Sequence, residues 1–461
     1  MPIHSGRGNS RIAHIQKGLK CKIENMKLNN IETVGKIGEE VLLKGWVDSV
    51  RKMGKIVFVD LRDLSGLLQV VLVPQELDEK SNELLNSIKP ESVLEISGIV
   101  NKRGDKQINP DLSTGTVEVL AKSIKILSEA ETLPIPITDE AGNEASMTNR
   151  FDYRWIDLRD PKKALIFKVW TELEKGCREF FAKENFIQIY TPSFMSAASE
   201  SGAEVFSVKY FERNAYLAQS PQFFKQMAMA AGLEKVFVMG PVFRAEASFT
   251  TRHMTEFTGW DFEMSFIDSL EDIMSAEEQM LLAGFKQLQK TCLPNLEIPT
   301  APFPRISIKE AKLKLSERGI KSDKDDDISP EEERGICEMI KEETGSDFVF
   351  VTDYPISARP FYHMRKENDP TLTKSFDLLY KGVEITTGAV REHRLEILEK
   401  QALEKKMNLE SLHDYLNFFR FGCPPHGGVG IGPNRIIMGL LDLNNVKEAT
   451  YLPRDVNRLT P

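Results

Sequence analysis

Two arginines, a glutamate, a histidine and a phenylalanine crowd one short stretch, "FRAEASFTTRHMTEFTGWDFEM", residues 243–264. Arg244, Glu246, Arg252 and His253 surround a polar tip between two strand-like runs, and Phe257 follows just beyond it. An arginine fork suits an anion such as phosphate, and a ring beside it suits a flat partner, so the group asks for a nucleotide. A second cluster lies in "SFDLLYKGVEITTG", residues 375–388. With Lys381 and Gly382 as a two-residue turn, Leu379 faces Glu384 and Asp377 shares the face of Glu384 diagonally. Two carboxylates so placed suit a divalent cation and its phosphates; a solvated acidic pair on an edge hairpin competes evenly. Arg391 lies just beyond. A third cluster, "FGCPPHGGVGIGPNRIIMGLLDL", sets small residues before Arg435 and an apolar, helix-like run. Gly-rich backbone permits close approach of a ligand. The sequence contains no G-x-x-x-x-G-K-[ST] and no strand-linked G-x-G-x-x-G, so any phosphate must be held by side chains.

These residues need elements to hold them. "KVFVMGPVFR" and "MTEFTGWDFEM" predict antiparallel strands, on which Phe257, Gly259 and Asp261 share a face. Gly259 clears that face for a close ligand. Asp160 and Pro161 predict a helix start, and Leu165, Ile166, Val169, Leu173, Cys177 and Phe180 recur at helical spacing. "NFIQIYTPSF" predicts a strand stopped by Pro192. Further forward, "VLLKGWV", "KIVFVDLR", "LLQVVLV", "VLEISGIV" and "TVEVLAKSIKIL" predict five strands, with "LDEKSNELLNSI" as a helix after the third. That order fits a small Greek-key barrel of the oligonucleotide-binding type, at residues 27–130. Phe58, Gln69 and Glu118 fall on its strands and suit base stacking and edge reading; a core Phe and two surface polar residues are the plainer alternative. Residues 131–160, rich in Pro, Asn and acidic residues, predict a hinge. Residues 1–26 are basic, without the apolar core of a secretory signal, and predict a disordered extension.

The bulk numbers agree. The chain has 461 residues, 41% of them hydrophobic, enough for two or three domains. The net charge of −9 excludes a generally basic nucleic-acid coat. Residues 1–130 carry 19 Lys+Arg and 17 Asp+Glu, against 41 and 52 in the remainder, so the front end is the less acidic. Five scattered cysteines form no C-x-x-C pair and predict a reducing, cytoplasmic setting. No apolar run approaches the roughly 20 residues of a membrane span.

Pro192, then "FRAE" with "RHMTEF", then "GVGIGPNR", resemble in order the three motifs of class II aminoacyl-tRNA synthetases. "SAASESGAEVF", "AYLAQSPQFFKQM", "SFDLLYKGVEITTGAVREH" and "LPRDVNRLTP" bring the resemblance to the aspartyl-tRNA synthetases of the archaeal and eukaryotic type, over about residues 27–461. The resemblance implies an α+β multidomain fold. A five-stranded OB-fold barrel would bind the anticodon. A class II catalytic domain at 161–461, an antiparallel sheet flanked by helices, would carry a small insertion around 285–370. The stretch from Phe257 to Asp377 is too short for the large extra domain of the bacterial type. By resemblance, Arg244 binds the ATP α-phosphate and touches the amino-acid carboxylate. Ala245, Glu246, Arg252, His253 and Met254 line the ATP pocket, Phe257 stacks on adenine, and Arg435, with Gly432, Pro433 and Asn434, clamps the γ-phosphate. Asp377, Glu384 and Thr387 hold Mg²⁺. Glu200 receives the amino group of L-aspartate with Gln222 nearby, Lys225 and Arg391 hold its side-chain carboxylate, and Asp261 orients Lys225. Phe58, Gln69 and Glu118 fall where the family reads the anticodon, and Pro192 marks the homodimer motif. The implied partners are ATP, aspartate, tRNA-Asp and, as an alternative, tRNA-Asn.

The sequence also departs from that pattern. Gly432-Pro433-Asn434-Arg435 stands where the family reads Gly-Leu-Glu-Arg; Pro433 lacks an N–H and Asn434 lacks a charge. Ala247 and Phe249 replace polar residues, Thr387 a Ser and Val390 a frequent Gln. The simple hairpin count puts Thr386, not Thr387, on the metal face, so either the strand bulges or one assignment fails. Three rivals remain. An asparaginyl-tRNA synthetase is opposed by Lys225, a cation poorly matched to an amide. A non-catalytic RNA-binding relative is opposed by the presence of both carboxylates and both phosphate arginines. An amide-forming paralogue without RNA is opposed by the front barrel. Asp48 lies near where the family chooses between the two tRNAs.

Overall fold

Alternation of branched apolar and polar residues rolls the front of the chain into a barrel. The computed structural model describes residues 27–137, 145–196, 205–247, 250–322, 324 and 326–461; the leader 1–26, Glu200 and Phe249 lie outside them. Two units separate, Met1–Glu144 and Ala145–Pro461. In the first, β1 (Glu40–Met53), β2 (Ile56–Asp63), β3 (Gly66–Leu72), β4 (Val93–Lys102) and β5 (Val117–Ser128) close in the order β1-β2-β3-β5-β4. Only the β3–β5 seam is parallel. Val57, Val59 and Leu61 are buried inside, and Phe58 between them is half-buried on the outer face. Helix α1 (Glu79–Leu84), shorter than the sequence predicts, is capped by the Asp78 side chain.

The second unit begins inside the expected hinge. Residues 131–160 are not uniformly linker: α2 (Met147–Asp152) and α3 (Arg154–Asp157) belong to this unit. Arg154, fully buried, pairs with Asp157 at 2.5 Å and donates to the carbonyls of Glu448 and Thr450 at 2.8 and 3.2 Å. Those partners sit nearly three hundred residues away, so local composition could not announce them. Helix α4 (Pro161–Lys183) starts as predicted, with the Asp160 side chain accepting from the Lys162 N–H at 2.9 Å.

The predicted strand up to Pro192 is only two residues, β6 (Ile187–Gln188), parallel to a later strand. Then come β7 (Phe194–Met195), β8 (Ser207–Tyr210), β9 (Arg213–Leu217), α5 (Gln222–Ala230), β10 (Lys235–Phe243), β11 (Glu256–Ser265) and α6 (Leu270–Thr291). Within the stretch expected to be an insertion lie β12 (Arg305–Ser307), α7 (Ile308–Glu317), α8 (Pro330–Thr344) and β13 (Phe348–Thr352). The chain ends with β14 (Ser375–Tyr380), β15 (Val383–Arg391), α9 (Leu395–Glu404), α10 (His413–Phe419), β16 (His426–Ile431) and α11 (Pro433–Leu440). One eight-stranded sheet runs β12-β13-β14-β15-β16-β11-β10-β6, so β12 and β13 extend its edge.

Helices α4 and α6 bury the apolar face of this sheet through Phe181, Phe237, Trp260, Phe262 and Phe285. They approach closely because Gly176 faces Gly284: a Cβ on Gly176 would meet the Ala283 carbonyl at 2.6 Å. The opposite, polar face carries the site.

Candidate functional site

The two hairpins and the β16–α11 turn converge on one cavity of about 480 Å³. Arg244, Glu246, Arg252, His253, Met254, Phe257, Glu384, Thr387, Gly432, Asn434 and Arg435 line one part of it, and Gln222, Gly259, Asp261 and Arg391 the rest. Lys225 lies beneath Asp261 and Asp377 beneath Thr387. Ala245 and Pro433, expected at the ATP pocket, are not among its lining residues.

The first hairpin holds its arginines by register. Phe243 pairs with Glu256, Val242 with Phe257 and Gly240 with Gly259, and the Arg244 N–H closes the tip onto the Thr255 carbonyl at 2.9 Å. The Arg244 guanidinium stands 5.5 Å from the centre of the Phe257 ring, so cation and ring share one wall. Arg252 is tied elsewhere. It donates to Glu333 of α8 at 2.8 Å and to the Gly382 carbonyl at 3.0 Å. Glu333 also accepts from the Glu384 N–H at 2.9 Å, and burial pushes its carboxyl up to about 7. Sequence reasoning did not single out Glu333; nothing local distinguishes it from Glu331 and Glu332 beside it.

The second hairpin settles the register question. Lys381 and Gly382 adopt φ of 48° and 80°, the two-residue turn expected. A bulge between Leu378 and Leu379 then shifts the pairing so that Thr387, not Thr386, faces Asp377. Thr387 Oγ1 donates to Asp377 Oδ1 at 2.8 Å and lies 3.2 Å from Glu384 Oε1. Burial raises the Asp377 pKa despite Arg359, whose guanidinium holds its Oδ2 at 2.7 Å. Two carboxylates bridged by a hydroxyl at the cavity edge offer the hard oxygen donors that Mg²⁺ takes alongside water and phosphate, so the residues fit that ion. Among the described residues, no group of three or more Asp, Glu, His or Cys forms a metal cage.

At the floor, Lys225 is buried and its Nζ donates to Asp261 Oδ2 at 2.7 Å and to the Val429 carbonyl at 2.7 Å, with Glu263 Oε2 at 3.3 Å. Arg391 contacts Glu263 Oε1 at 2.9 Å, the Gly428 carbonyl at 2.9 Å and His363 Nε2 at 3.0 Å. Burial pushes Glu263 upward, but Arg391 and then Lys225 outweigh it, and its carboxyl sits below its ordinary range. For Asp261, burial wins over Lys225 and the pKa is raised. Glu263, the carboxylate shared by both cations, was missed in sequence. Its signal was present: Trp260 and Phe262 alternate with Asp261 and Glu263, an apolar face against an acidic one. Gln222 Nε2 is buried at the cavity without a partner among the described residues.

Pro433 occupies the first turn of α11, where its missing N–H costs nothing. Asn434 is buried and donates to Thr450 Oγ1 at 2.8 Å, fastening the C-terminal segment. Arg435 donates to the Glu384 carbonyl at 2.8 Å, which holds it beside the β14–β15 hairpin.

In the barrel unit, Asp60 pairs with Gln69 across β2–β3, and Phe58 with Val71. Gln69 donates to Glu118 at 2.8 Å and accepts from Arg51 at 3.2 Å. An outward ring next to donors and acceptors makes a face suited to unstacked bases.

Residues 146–456 match the tRNA synthetases of class II (D, K and N), and residues 41–127 match the OB-fold nucleic acid binding domain. The chain therefore belongs to the class II tRNA synthetases. It is 40% identical over 431 residues to an aspartate–tRNA(Asp) ligase of Pyrococcus abyssi, covering 92% of this chain and 97% of that one. It is 40% identical over 434 residues to an aspartate–tRNA(Asp/Asn) ligase of Aeropyrum pernix, covering 92% and 96%. Within class II it is thus a member of the aspartate–tRNA ligases. In solved structures it resembles the asparaginyl-tRNA synthetase of Pyrococcus horikoshii with asparaginyl-adenylate, at TM-score 0.85 and 32% identity, over 95% of this chain and 100% of that one. Backbone likeness therefore does not choose the amino acid; the floor of the cavity must.

Proposed function

We propose that this chain joins L-aspartate to ATP as aspartyl-adenylate and passes the aspartyl group to the 3′ end of tRNA-Asp, with tRNA-Asn as the alternative acceptor. The observation that carries the reading is one cavity with Arg244 on its nucleotide wall and, on its floor, Arg391 held by Glu263, which Lys225 also contacts. A small amino acid with a second carboxylate fits between a phosphate and such a floor. An α-carboxylate oxygen attacks the α-phosphorus in line, the bond to pyrophosphate breaks, and a ribose hydroxyl of the terminal adenosine then displaces AMP from the carbonyl carbon. Arg244 and Arg435 steady the charge on the phosphates while Phe257 stacks the adenine; Arg252, His253, Met254 and Glu246 border it. Asp377, Glu384 and Thr387 would hold Mg²⁺, which would supply charge neutralisation at the phosphates. Gln222 sits where it can orient the amino acid; Glu200, the expected amino-group acceptor, lies outside the described residues.

Phe58, Gln69 and Glu118 take the anticodon bases. A homodimer forms at the segment around Pro192, where Ile187, Tyr190, Phe194 and Phe211 are 46, 83, 53 and 79% exposed. We place the enzyme in the cytoplasm, consistent with its free cysteines Cys177, Cys292, Cys337 and Cys423. No helix of the described residues is long and apolar enough to cross a membrane. Parallel aminoacylation of purified tRNA-Asp and tRNA-Asn with aspartate tests the reading. Charging of tRNA-Asp is expected; folded enzyme that charges neither would refute it.

A further inference from the structure

We infer that His363 is a further specificity-determining residue, whose Nδ1–H donates to the side-chain carboxylate of the amino acid seated against Arg391. This rests on the aspartate reading of the cavity. His363 is buried, 2% exposed, yet lines the same cavity, and it pairs with Arg391 across a single β-bridge. Its Nε2 lies 3.0 Å from Arg391 Nη1. A guanidinium offers donors and no acceptor, so that contact holds only when Nε2 is the bare nitrogen. Burial, and after it the charges of Arg391, Arg359, Lys225 and Lys405, hold the ring far below its ordinary pKa, so it is neutral. A neutral ring bare at Nε2 carries its proton on Nδ1. That N–H has no partner among the described residues.

A buried donor without an acceptor is costly, and a ligand that supplies the acceptor recovers the loss. Arg391 and His363 then present donors toward the side chain, above the Lys225 cation that Asp261, Glu263 and the Val429 carbonyl hold. A carboxylate accepts at both oxygens. A carboxamide must turn its NH₂ toward one of the donors, so asparagine leaves a donor facing a donor. His363 thus adds discrimination that does not depend on net charge.

Two substitutions separate donation to substrate from mere support of Arg391. His363→Gln keeps an acceptor near the Nε2 position and loses the Nδ1 donor; His363→Asn keeps an NH₂ near Nδ1 and loses the partner of Arg391. Aspartate- and asparagine-dependent ATP–pyrophosphate exchange is measured for the parent and both variants, with ATP KM and thermal unfolding as controls on folding. In His363→Gln the KM for aspartate is expected to rise, and the aspartate/asparagine ratio of kcat/KM to fall, by about tenfold to a hundredfold, with ATP KM within about threefold. His363→Asn is expected to keep the ratio within about threefold of the parent. The reverse order, equal losses, or no change in either variant would overturn the inference. A parent enzyme that prefers asparagine would refute the aspartate reading itself, and is seen before any variant is compared.

Discussion

Lys225 is bound on three sides, by Asp261, Glu263 and the Val429 carbonyl, and this changes what its removal should do. Lys225→Leu strands two buried carboxylates, and breaking a buried pair in this way costs about 3–5 kcal/mol. A urea titration should show that loss. In the fraction that stays folded, kcat/KM for aspartate should fall about 30-fold to several thousand-fold, because the floor loses the buried cation that balances Asp261 and Glu263 beneath the substrate carboxylate. ATP KM should barely move, since Arg244 and Phe257 lie on the nucleotide wall. Aspartate activation within about threefold of the parent would misplace the pocket. Much of this site was legible: arginines, carboxylates and glycines at strand spacing pointed to a nucleotide and a cation. Glu263, Glu333, Arg359 and His363 were not, because each matters through a partner brought in by the fold. Glu263 meets Arg391 across 128 residues, and Arg252 meets Glu333 across 81.

Hairpins and helices carry their own tests. The bulge in β14–β15 is invisible to a simple count of alternation, which aims Thr386 at the proposed Mg²⁺ site. With the bulge, Thr387→Val should raise the Mg²⁺ concentration needed for half-maximal exchange by roughly tenfold, the loss of one hydroxyl contact to a charged group. Thr386→Val, at a buried hydroxyl that faces Glu277 instead, should leave it unchanged. Equal effects would contradict the register. Helix α6 holds a second test in Glu277, fully buried, where desolvation pushes the carboxyl from 4.5 up to about 8. The folded protein therefore binds a proton that the unfolded chain releases between those values. Stability is fully present below about 4.5 and falls by about 1.4 kcal/mol per pH unit until the folded group also ionises. Glu277→Gln should flatten that slope and raise stability at pH 7 to 8 in denaturant titrations. A parent whose stability rises with pH over that window, with no change on substitution, would reject the assignment. Elements were legible where the pattern was long, as in α4 and the five barrel strands. They failed where long-range pairing decides: α2 and α3 fold because Arg150 and Arg154 reach Glu448 and its neighbours, and β6 shrinks to the two residues that meet β10.

At the scale of the whole molecule, two units divide two tasks, so their defects should separate. Phe58→Ala should raise the KM for tRNA in aminoacylation by roughly tenfold to a hundredfold, the worth of one base stacked on a ring, and leave ATP–pyrophosphate exchange without tRNA intact. A loss of exchange in that variant would argue against the division. Light scattering should give a dimer at micromolar concentration, and Tyr190→Asp, on the exposed segment near Pro192, should weaken it; a monomeric parent would remove the basis for that interface. The central question is which amino acid the floor of Lys225, Arg391, Asp261 and Glu263 accepts. ATP–pyrophosphate exchange by the parent enzyme, with Mg²⁺ and without tRNA, compares aspartate and asparagine directly. Exchange driven by aspartate and at most weakly by asparagine is the expected result; exchange driven by asparagine, or by neither with folded enzyme, would contradict it.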